Sequence, residues 1–371
     1  MKIAVITTFT DSLLKAKLLP LANLEHIQSI ALVCDQKGPD IPKVSYVIPS
    51  STCYRVLLHK SFAKLYVLFK MVKQNDFAFV MSYNVFPHGV NAWIVAKLLK
   101  QKTIIHLPGG YAELLARKDI SDNSLITKYR FLSYFIKRLV QTAIKQSDYI
   151  FVPGCRTKKY LVEKLGVKSE RILNIHSSID IERFKPHVAF KVYDLILVSA
   201  FREVKRVDLF VQLVCLLKRD IPSIKAVLVG DGRLRNQLLL LISQLDLEKN
   251  IDLIGFCDHP EEYYWKSRIF VLASNTEGIS TAVMESMACG LPAIVSKVGD
   301  MEELVQNDQT GYVIDENTDL QGYVEKIKLL LNDQSLYQKL SQNAVAKIRQ
   351  EHSFLTAQAK WEQFLDQIIA G

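Results

Sequence analysis

The sequence of 371 residues predicts an α/β protein made of two doubly wound, Rossmann-like domains that face each other across a cleft. Three observations predict it. Short apolar runs rich in β-branched residues alternate with helical patterns from residue 3 to residue 175. A second series of the same kind runs from residue 195 to residue 315. Between them lies a segment without either period, 184–191, and an apolar helical pattern over 354–369 closes the chain. The expected division is therefore a first domain over 1–185 and a second over 190–353.

The first series opens on a strand at 3–8. One charge, a short β-type run and then Asp11 make this an opening strand rather than a signal peptide. The loop Thr7-Thr8-Phe9-Thr10-Asp11-Ser12 follows it. Strands at 30–34 and 45–48 flank the turn residues Lys37-Gly38-Pro39-Asp40. Over 51–75 the spacing is helical, with Tyr54, Phe62, Leu65, Tyr66, Leu68 and Phe69 interleaved with Arg55, Lys60, Lys64, Lys70 and Lys73. A strand at 77–81 leads into the loop holding His88 and Gly89, then a helix at 93–100. The strand at 103–106 ends on His106, before Leu107-Pro108-Gly109-Gly110-Tyr111. A second basic amphipathic helix spans 128–145, with Tyr129, Phe131, Tyr134 and Phe135 among Lys128, Arg130, Lys137 and Arg138. Strand, helix and strand complete the series between 149 and 175. Ligands of open α/β sheets bind at the carboxyl ends of strands, so His106 and His88 are candidate site residues. Each reads equally as a hydrogen-bonded core histidine.

The second series starts with a strand at 195–199. Arg202 and Lys205 follow, three residues apart at the head of a helix, so both can face one ligand; Arg206 competes for the same position. The strand at 226–229 ends on Gly230-Asp231-Gly232, where a backbone without Cβ permits close approach of a ligand. Another strand, 252–255, runs into Phe256-Cys257-Asp258-His259-Pro260. Phe256 there either stacks on a ligand or belongs to the core. Tyr263-Tyr264-Trp265 reads as packing, and Asp300 as a cap for a short helix at 301–305.

Within this series the stretch 268–296 is the most informative. It reads as strand, polar loop, helix from Thr281 to Cys289, a stop at Gly290 and Pro292, and strand. Ser280 or Thr281 is placed to cap the helix with its hydroxyl. Glu277 sits in the loop and Glu285 one turn into the helix, on the same face as Thr281. The helix start offers N–H groups and the positive end of the dipole to a phosphate, with two carboxylates nearby to accept hydroxyls. An ordinary βαβ unit with solvated glutamates fits the same spacing.

The wording Glu277-Gly278-Ile279-Ser280-Thr281-Ala282-Val283-Met284-Glu285, continuing through Ser286-Met287-Ala288-Cys289-Gly290-Leu291-Pro292, resembles the signature of retaining glycosyltransferases of family four. The likeness is close over 195–315, moderate over 145–190 and thin before that. It implies the GT-B fold and transfer of a sugar from a nucleotide-diphosphate donor with retained anomeric configuration. It implies that Glu285 accepts ribose hydroxyls and that Glu277 holds the donor sugar. The backbone of Gly278, Ile279, Ser280, Thr281 and Val283 would cradle sugar and diphosphate, with Gly230 and Phe256 also on the donor side. Arg202 and Lys205 would stabilise the departing diphosphate in place of a metal, so neither a metal nor a separate cofactor is expected. His106 is the nearest match to the family's acceptor-side histidine, although Pro108 competes for that place. The closing helix is expected to cross back onto the first domain.

Three departures from the family pattern stand out. The loop after the first strand lacks the usual glycines. Ser177 and Ser178, in the segment from His176 to Pro186, replace an Asn-Gly. Gly299-Asp300 replaces a Gly-Gly.

Charge is placed unevenly. Residues 1–185 hold 28 Lys and Arg against 13 Asp and Glu, a net of +15, whereas 186–371 are net −6. The first half therefore expects an anionic partner, and the resemblance makes a lipid-linked saccharide acceptor the leading one. The two basic amphipathic helices either pack on the sheet with solvated lysines or lie on an anionic membrane. No apolar run reaches the ~18 residues of a membrane span. Six scattered cysteines without CxxC pairs point to reduced thiols. The expected setting is the cytoplasm, peripheral on the inner face of the cell membrane. No nucleic-acid module is present, although a basic half leaves oligonucleotide binding as a rival. A catalytically inactive GT-B-like assembly partner in glycan synthesis is the other alternative, against which the Glu277 and Glu285 pair argues.

Overall fold

The computed structural model describes residues 1–9, 11–57, 59–115, 130–175 and 177–370. Contacts divide these into two units. The first contains the chain up to residue 178 together with the closing helix from Phe354; the second contains 179–353.

In the first unit, β1 (Lys2–Ile6), β2 (Ser29–Val33), β3 (Val44–Val47), β4 (Phe79–Ser82), β5 (Lys102–His106), β6 (Tyr149–Phe151) and β7 (Ile172–Leu173) form one sheet in the order β3-β2-β1-β4-β5-β6-β7. Every pairing is parallel, with Ile3 opposite Ile30 on one side and Phe79 on the other. Ile3, Ala4, Val5 and Ile6 are all fully buried, because helices cover both faces of the sheet. The strand order reverses between β1 and β4.

Helix α1 (Asp11–Ala22) starts inside the stretch expected as a loop, which therefore shortens to the residues just after β1. The helix expected over 51–75 is two, α2 (Ser51–Leu57) and α3 (Lys60–Gln74); the His59 side chain accepts from the Ser61 N–H and starts the second. Helix α4 (Val90–Leu99) follows β4, and α5 (Arg130–Gln146) and α6 (Cys155–Leu165) flank β6. Lys128, Tyr129 and His176 lie outside the described residues.

The second unit holds β8 (Tyr193–Val198), β9 (Ala226–Val229), β10 (Ile251–Gly255), β11 (Ser267–Leu272), β12 (Ala293–Ser296) and β13 (Gly311–Ile314), again all parallel, in the order β10-β9-β8-β11-β12-β13. Its reversal lies between β8 and β11. The helices are α7 (Val207–Asp220), α8 (Arg235–Gln244), α9 (Glu261–Trp265), α10 (Thr281–Ala288), α11 (Met301–Leu304), α12 (Leu320–Asn332) and α13 (Gln334–Glu351).

The last helix, α14 (Phe354–Ala370), belongs to the first unit. Trp361, Phe364 and Leu365 are buried there in one cluster with Ile3, Val5, Phe79 and Phe151. The division of the chain falls at 178/179, earlier than the 184–191 linker read from the sequence. Phe184 explains the difference: it is buried in the second unit's core, and Trp265 Nε1 donates to the Lys185 carbonyl at 2.8 Å. Lack of a secondary-structure period marks irregular chain, not chain free of packing.

All six cysteines are free thiols. Among the described residues no helix is long and apolar enough to cross a membrane.

Candidate functional site

In the second unit the reversal of strand order opens a crevice between the carboxyl ends of β8 and β11, the place where doubly wound sheets bind ligands. After β8 the chain makes a short 3₁₀ turn, Glu203–Lys205, before Arg206 enters the left-handed region at φ 46° and α7 begins. After β11 it runs through Ser274-Asn275-Thr276-Glu277-Gly278 to α10. The two loops are joined: the Asn275 N–H donates to the Val204 carbonyl at 2.8 Å, and Lys205 Nζ lies 2.7 Å from Glu277 Oε1. Ser274 Oγ donates to the same carboxylate oxygen at 2.8 Å. Glu277 is 8% exposed, so its orientation is set by these two donors rather than by solvent.

Gly299 fixes the turn from outside. A Cβ there would stand 1.7 Å from the Glu277 carbonyl oxygen, and φ is +54°. Only glycine lets this neighbouring loop press on the site loop, where the Asp300 N–H donates to the Gly278 carbonyl at 3.2 Å. Asp300 holds the cap position of α11, without a side-chain cap bond.

Helix α10 starts at Thr281 with Ser280 in the cap position. The Ser280 side chain makes no cap bond, contrary to the expectation from its type, so the helix start keeps its N–H groups for another acceptor. One turn on, Glu285 accepts from the Tyr264 hydroxyl at 3.1 Å. Burial pushes the Glu285 carboxyl up to about 7, while the Tyr264 hydroxyl and the Arg183 charge pull it down. Arg183 in turn donates to Glu261 Oε2 at 2.8 Å and to the Asp258 carbonyl, and His259 Nδ1 lies 3.0 Å from Glu261 Oε1. Burial raises the Glu261 carboxyl, but Arg183 holds it below its usual range.

The structure thus joins Glu277 and Lys205 directly and sets Glu285 on the next helix, hydrogen-bonded to a tyrosine instead. Arg202 is exposed, one residue before the 3₁₀ turn. Its competitor Arg206 is committed elsewhere, with bonds of 2.8, 3.0 and 3.3 Å to the Asp208 carboxylate. Gly230 follows β9 at φ +142°, and a Cβ there would stand 1.9 Å from the Ser199 carbonyl oxygen. Close approach of the β8 loop already requires this glycine. Phe256 is 71% exposed, so the core alternative read from the sequence is excluded.

His106 belongs to the first unit, at the end of β5. It is 6% exposed and ringed by Tyr83, Phe151 and Trp361, with centroids 4.3, 4.6 and 6.0 Å away. Burial, then the Lys17 charge, holds its ring neutral, and Nε2 has no partner. The ring packs beneath the closing helix and lines a small pocket with Lys17, Ser178 and Trp361. The end of a strand carries no sign of which helix will cover it, so this placement was not legible in the sequence.

Tyr264, Arg183 and Gly299 were missed as parts of the site. Tyr264 lies 21 residues from Glu285, so no local period connects them. Among the described residues no three His, Cys, Asp or Glu side chains are grouped as a metal ion requires.

Comparison with known proteins bears on the same region. Residues 178–347 match the model of the family Glycosyl transferases group 1. This segment is similar to the group 1 glycosyltransferases. It spans nearly the whole second unit and includes each residue of the crevice just described. The chain is 33% identical over 150 residues to N-acetyl-alpha-D-glucosaminyl L-malate synthase of Bacillus anthracis, covering 40% of this chain and 39% of that one. It is 27% identical over 237 residues to a Campylobacter jejuni N-acetylgalactosaminyltransferase named for a diphospho-undecaprenol acceptor, covering 62% and 63%. With the Escherichia coli UDP-Gal:alpha-D-GlcNAc-diphosphoundecaprenol alpha-1,3-galactosyltransferase it shares 25% over 328 residues, covering 83% and 81%. The first two matches thus span less than two thirds of those proteins' lengths. In fold the chain is similar to Anabaena HepE in complex with UDP-glucose, with a TM-score of 0.79 at 16% identity over 99% of this chain and all of that one. Sucrose-phosphate synthase from Thermosynechococcus elongatus gives the same TM-score and identity, covering 100% and 99%. The fold of the chain is that of the GT-B glycosyltransferases.

Proposed function

We propose that the protein is a retaining, metal-independent glycosyltransferase that moves a sugar from a nucleotide-diphosphate donor to a lipid-linked or polysaccharide precursor. One observation carries the reading: Lys205 and Glu277 meet across the strand-order reversal of the segment similar to group 1 glycosyltransferases, with Glu285 on the helix that starts there. Glu285 accepts the ribose hydroxyls and Glu277 the donor-sugar hydroxyls. The backbone from Gly278 to Val283 cradles the diphosphate. As the bond from the anomeric carbon to the diphosphate breaks, negative charge grows on the leaving oxygen, and Arg202 with Lys205 stabilises it. The acceptor oxygen bonds to the anomeric carbon from the same face, and its proton passes to the diphosphate oxygen. No separate cofactor enters.

The acceptor side rests on relatives and on charge. Two relatives are named for diphosphoundecaprenol-linked acceptors, and HepE binds UDP-glucose. In the first unit, Phe62 and Tyr66 of α3 are 60% and 53% exposed beside exposed Lys60, Lys70 and Lys73. Tyr134 and Phe135 of α5 are 57% and 66% exposed beside Arg138. Apolar side chains left outside among cations suit an anionic membrane, which supports peripheral attachment at the inner face of the cell membrane.

A thermal-shift panel of nucleoside diphosphates and their sugars tests the donor reading. A shift with one nucleotide, abolished by Glu285→Ala in a folded variant, is the expected result. No shift with any member favours the inactive assembly partner. Cosedimentation with vesicles containing phosphatidylglycerol, lost at high salt, tests the membrane reading; no cosedimentation at low salt removes it.

A further inference from the structure

The segment Asp180-Ile181-Glu182-Arg183-Phe184 opens the second unit and belongs to no helix or strand, yet it is closely held. Asp180 Oδ1 accepts from the Glu182 and Arg183 N–H groups at 3.0 and 3.1 Å, and the Asp180 carbonyl accepts from the Phe184 N–H at 2.9 Å. This turn sends two neighbouring side chains to one short helix, α9. Phe184 is buried in the core with its ring 6.4 Å from that of Tyr264. Arg183 Nη2 donates to Glu261 Oε2 at 2.8 Å and to the Asp258 carbonyl. Glu261 and Tyr264 are the first and fourth residues of α9, and the Tyr264 hydroxyl donates to Glu285 at 3.1 Å. Arg183 and Glu285 therefore hold opposite ends of a single helical turn.

Packing alone does not explain this arrangement. Glu261 is 7% exposed, and a buried ion pair secures a helix no better than apolar side chains of the same size. Arg183 Nε is buried without a hydrogen-bond partner, a further cost to the fold. Both charges also act on a second carboxylate: Arg183 favours the ionised form of Glu285 and Glu261 opposes it. Two other titratable groups face Glu285, and both are neutral. Burial keeps Tyr264 in its hydroxyl form, and burial pushes the Cys289 thiol, at the end of α10, up to about 12. On the far side of Glu261 stands the exposed His259 ring, with Nδ1 3.0 Å from Oε1. Glu285 itself is partly exposed, so a ligand reaches it.

We propose that Arg183 and Glu261 are positioning residues of opposed charge that together set the place and the charge of the Glu285 carboxylate, Arg183 favouring the anion and Glu261 resisting it. Place comes through α9, which the Arg183–Glu261 bond anchors and which presents Tyr264 to Glu285. Charge comes through space, from one cation shared between two carboxylates. The consequence for binding rests on the reading of Glu285 as the acceptor of the donor's ribose hydroxyls; the coupling of the three side chains does not. An ionised carboxylate accepts through both oxygens, whereas a protonated one gives up part of that capacity to hold its proton. The pair thereby makes donor binding depend on pH, through groups that never touch the donor.

Calorimetric titration of the full chain with UDP, GDP and ADP across the pH range tests the pair, and effects of opposite sign are expected. Arg183→Gln should move the pH midpoint of nucleotide affinity up by about one pH unit, which weakens binding at pH 7 by about threefold to tenfold. Glu261→Gln keeps an acceptor for Arg183 and should move the midpoint down by a similar amount, which strengthens binding at pH 6. Arg183→Lys keeps the charge and should restore most of the wild-type profile. Weaker binding in both variants at every pH, with unshifted midpoints, is what packing alone would give, and it overturns the proposal. A second readout needs no donor. The Tm gain from Glu285→Gln levels off near the pH at which Glu285 has ionised; that point should rise in the Arg183→Gln background and fall in the Glu261→Gln background. A wild-type chain that binds none of the three nucleotides would sink the donor reading and leave the Tm series to decide on the pair: no movement of that point in either background overturns it.

Discussion

Both halves of the chain solve the same geometric problem, in different materials. Each sheet reverses strand order once, and at each reversal a lysine meets a carboxylate: Lys64 with Asp35 at 2.8 Å in the first unit, Lys205 with Glu277 at 2.7 Å in the second. In the second unit the surrounding loops come together through backbone. Gly230 and Gly299 bring carbonyl oxygens to within a Cβ's length, and the Asp300 N–H holds the Gly278 carbonyl. In the first unit the loop after β1 has no glycine, and hydroxyls, an amide and an imidazole take over. Backbone amides bind any phosphate, whereas side chains discriminate more among ligands. The family match follows this division: it covers 178–347 and none of the first sheet.

The strongest way to break the comparison is to remove charged side chains at the second unit's crevice. Glu277→Ala and Arg202→Ala should each lower sugar transfer by about 100-fold or more with unchanged circular dichroism, measured as nucleoside diphosphate release. Full activity in both would separate this crevice from the chemistry. Next in size is Gly299→Ala. Its Cβ would collide with the Glu277 carbonyl at a φ of +54°, so a loss of about 2–4 kcal/mol in denaturant unfolding is expected. Wild-type stability in that variant would show that the loops are held by side chains here too.

Glu285 gives a third test, with a defined sign. Its carboxyl is raised by burial to about 7. A raised carboxyl contributes stability that is present below its unfolded value and is lost as pH rises through about 7. Glu285→Gln should therefore raise Tm by roughly 5 °C at pH 8 and by almost nothing at pH 4. Donor binding should strengthen from pH 6 to pH 8 in wild type and lose that dependence in the variant. A Tm gain independent of pH would mean that the carboxyl ionises normally. The smallest effect belongs to Phe256→Ser. At 71% exposure its removal should leave stability within about 0.5 kcal/mol, while nucleotide affinity falls about threefold to tenfold if a base stacks on it. Unchanged affinity would take Phe256 out of the donor site.

Two helical readings mark the border of what a period can tell. The pattern over 51–75 was continuous, yet the chain breaks at His59 because its ring accepts the Ser61 N–H and starts a new helix. Ser280 had the type of a cap and stands in the cap position without a cap bond. A residue's type states which bonds it is able to make. Which of them it makes depends on what else is within reach.

By itself the sequence determined the local matters: two alternating βα series, the strand-loop-helix turn carrying Glu277 and Glu285, and the basic character of the first half. These depend on residues near one another in the chain, where side-chain period and turn chemistry act directly. Only the tertiary structure decided that Lys205 pairs with Glu277 across 72 positions, that Tyr264 rather than solvent meets Glu285, and that His106 lies under Trp361. The same is true of Lys64, which read as one more surface lysine until the sheet set it beside Asp35. Such pairings depend on how strands are ordered in a sheet, and strand order leaves no mark on the spacing of residues along the chain.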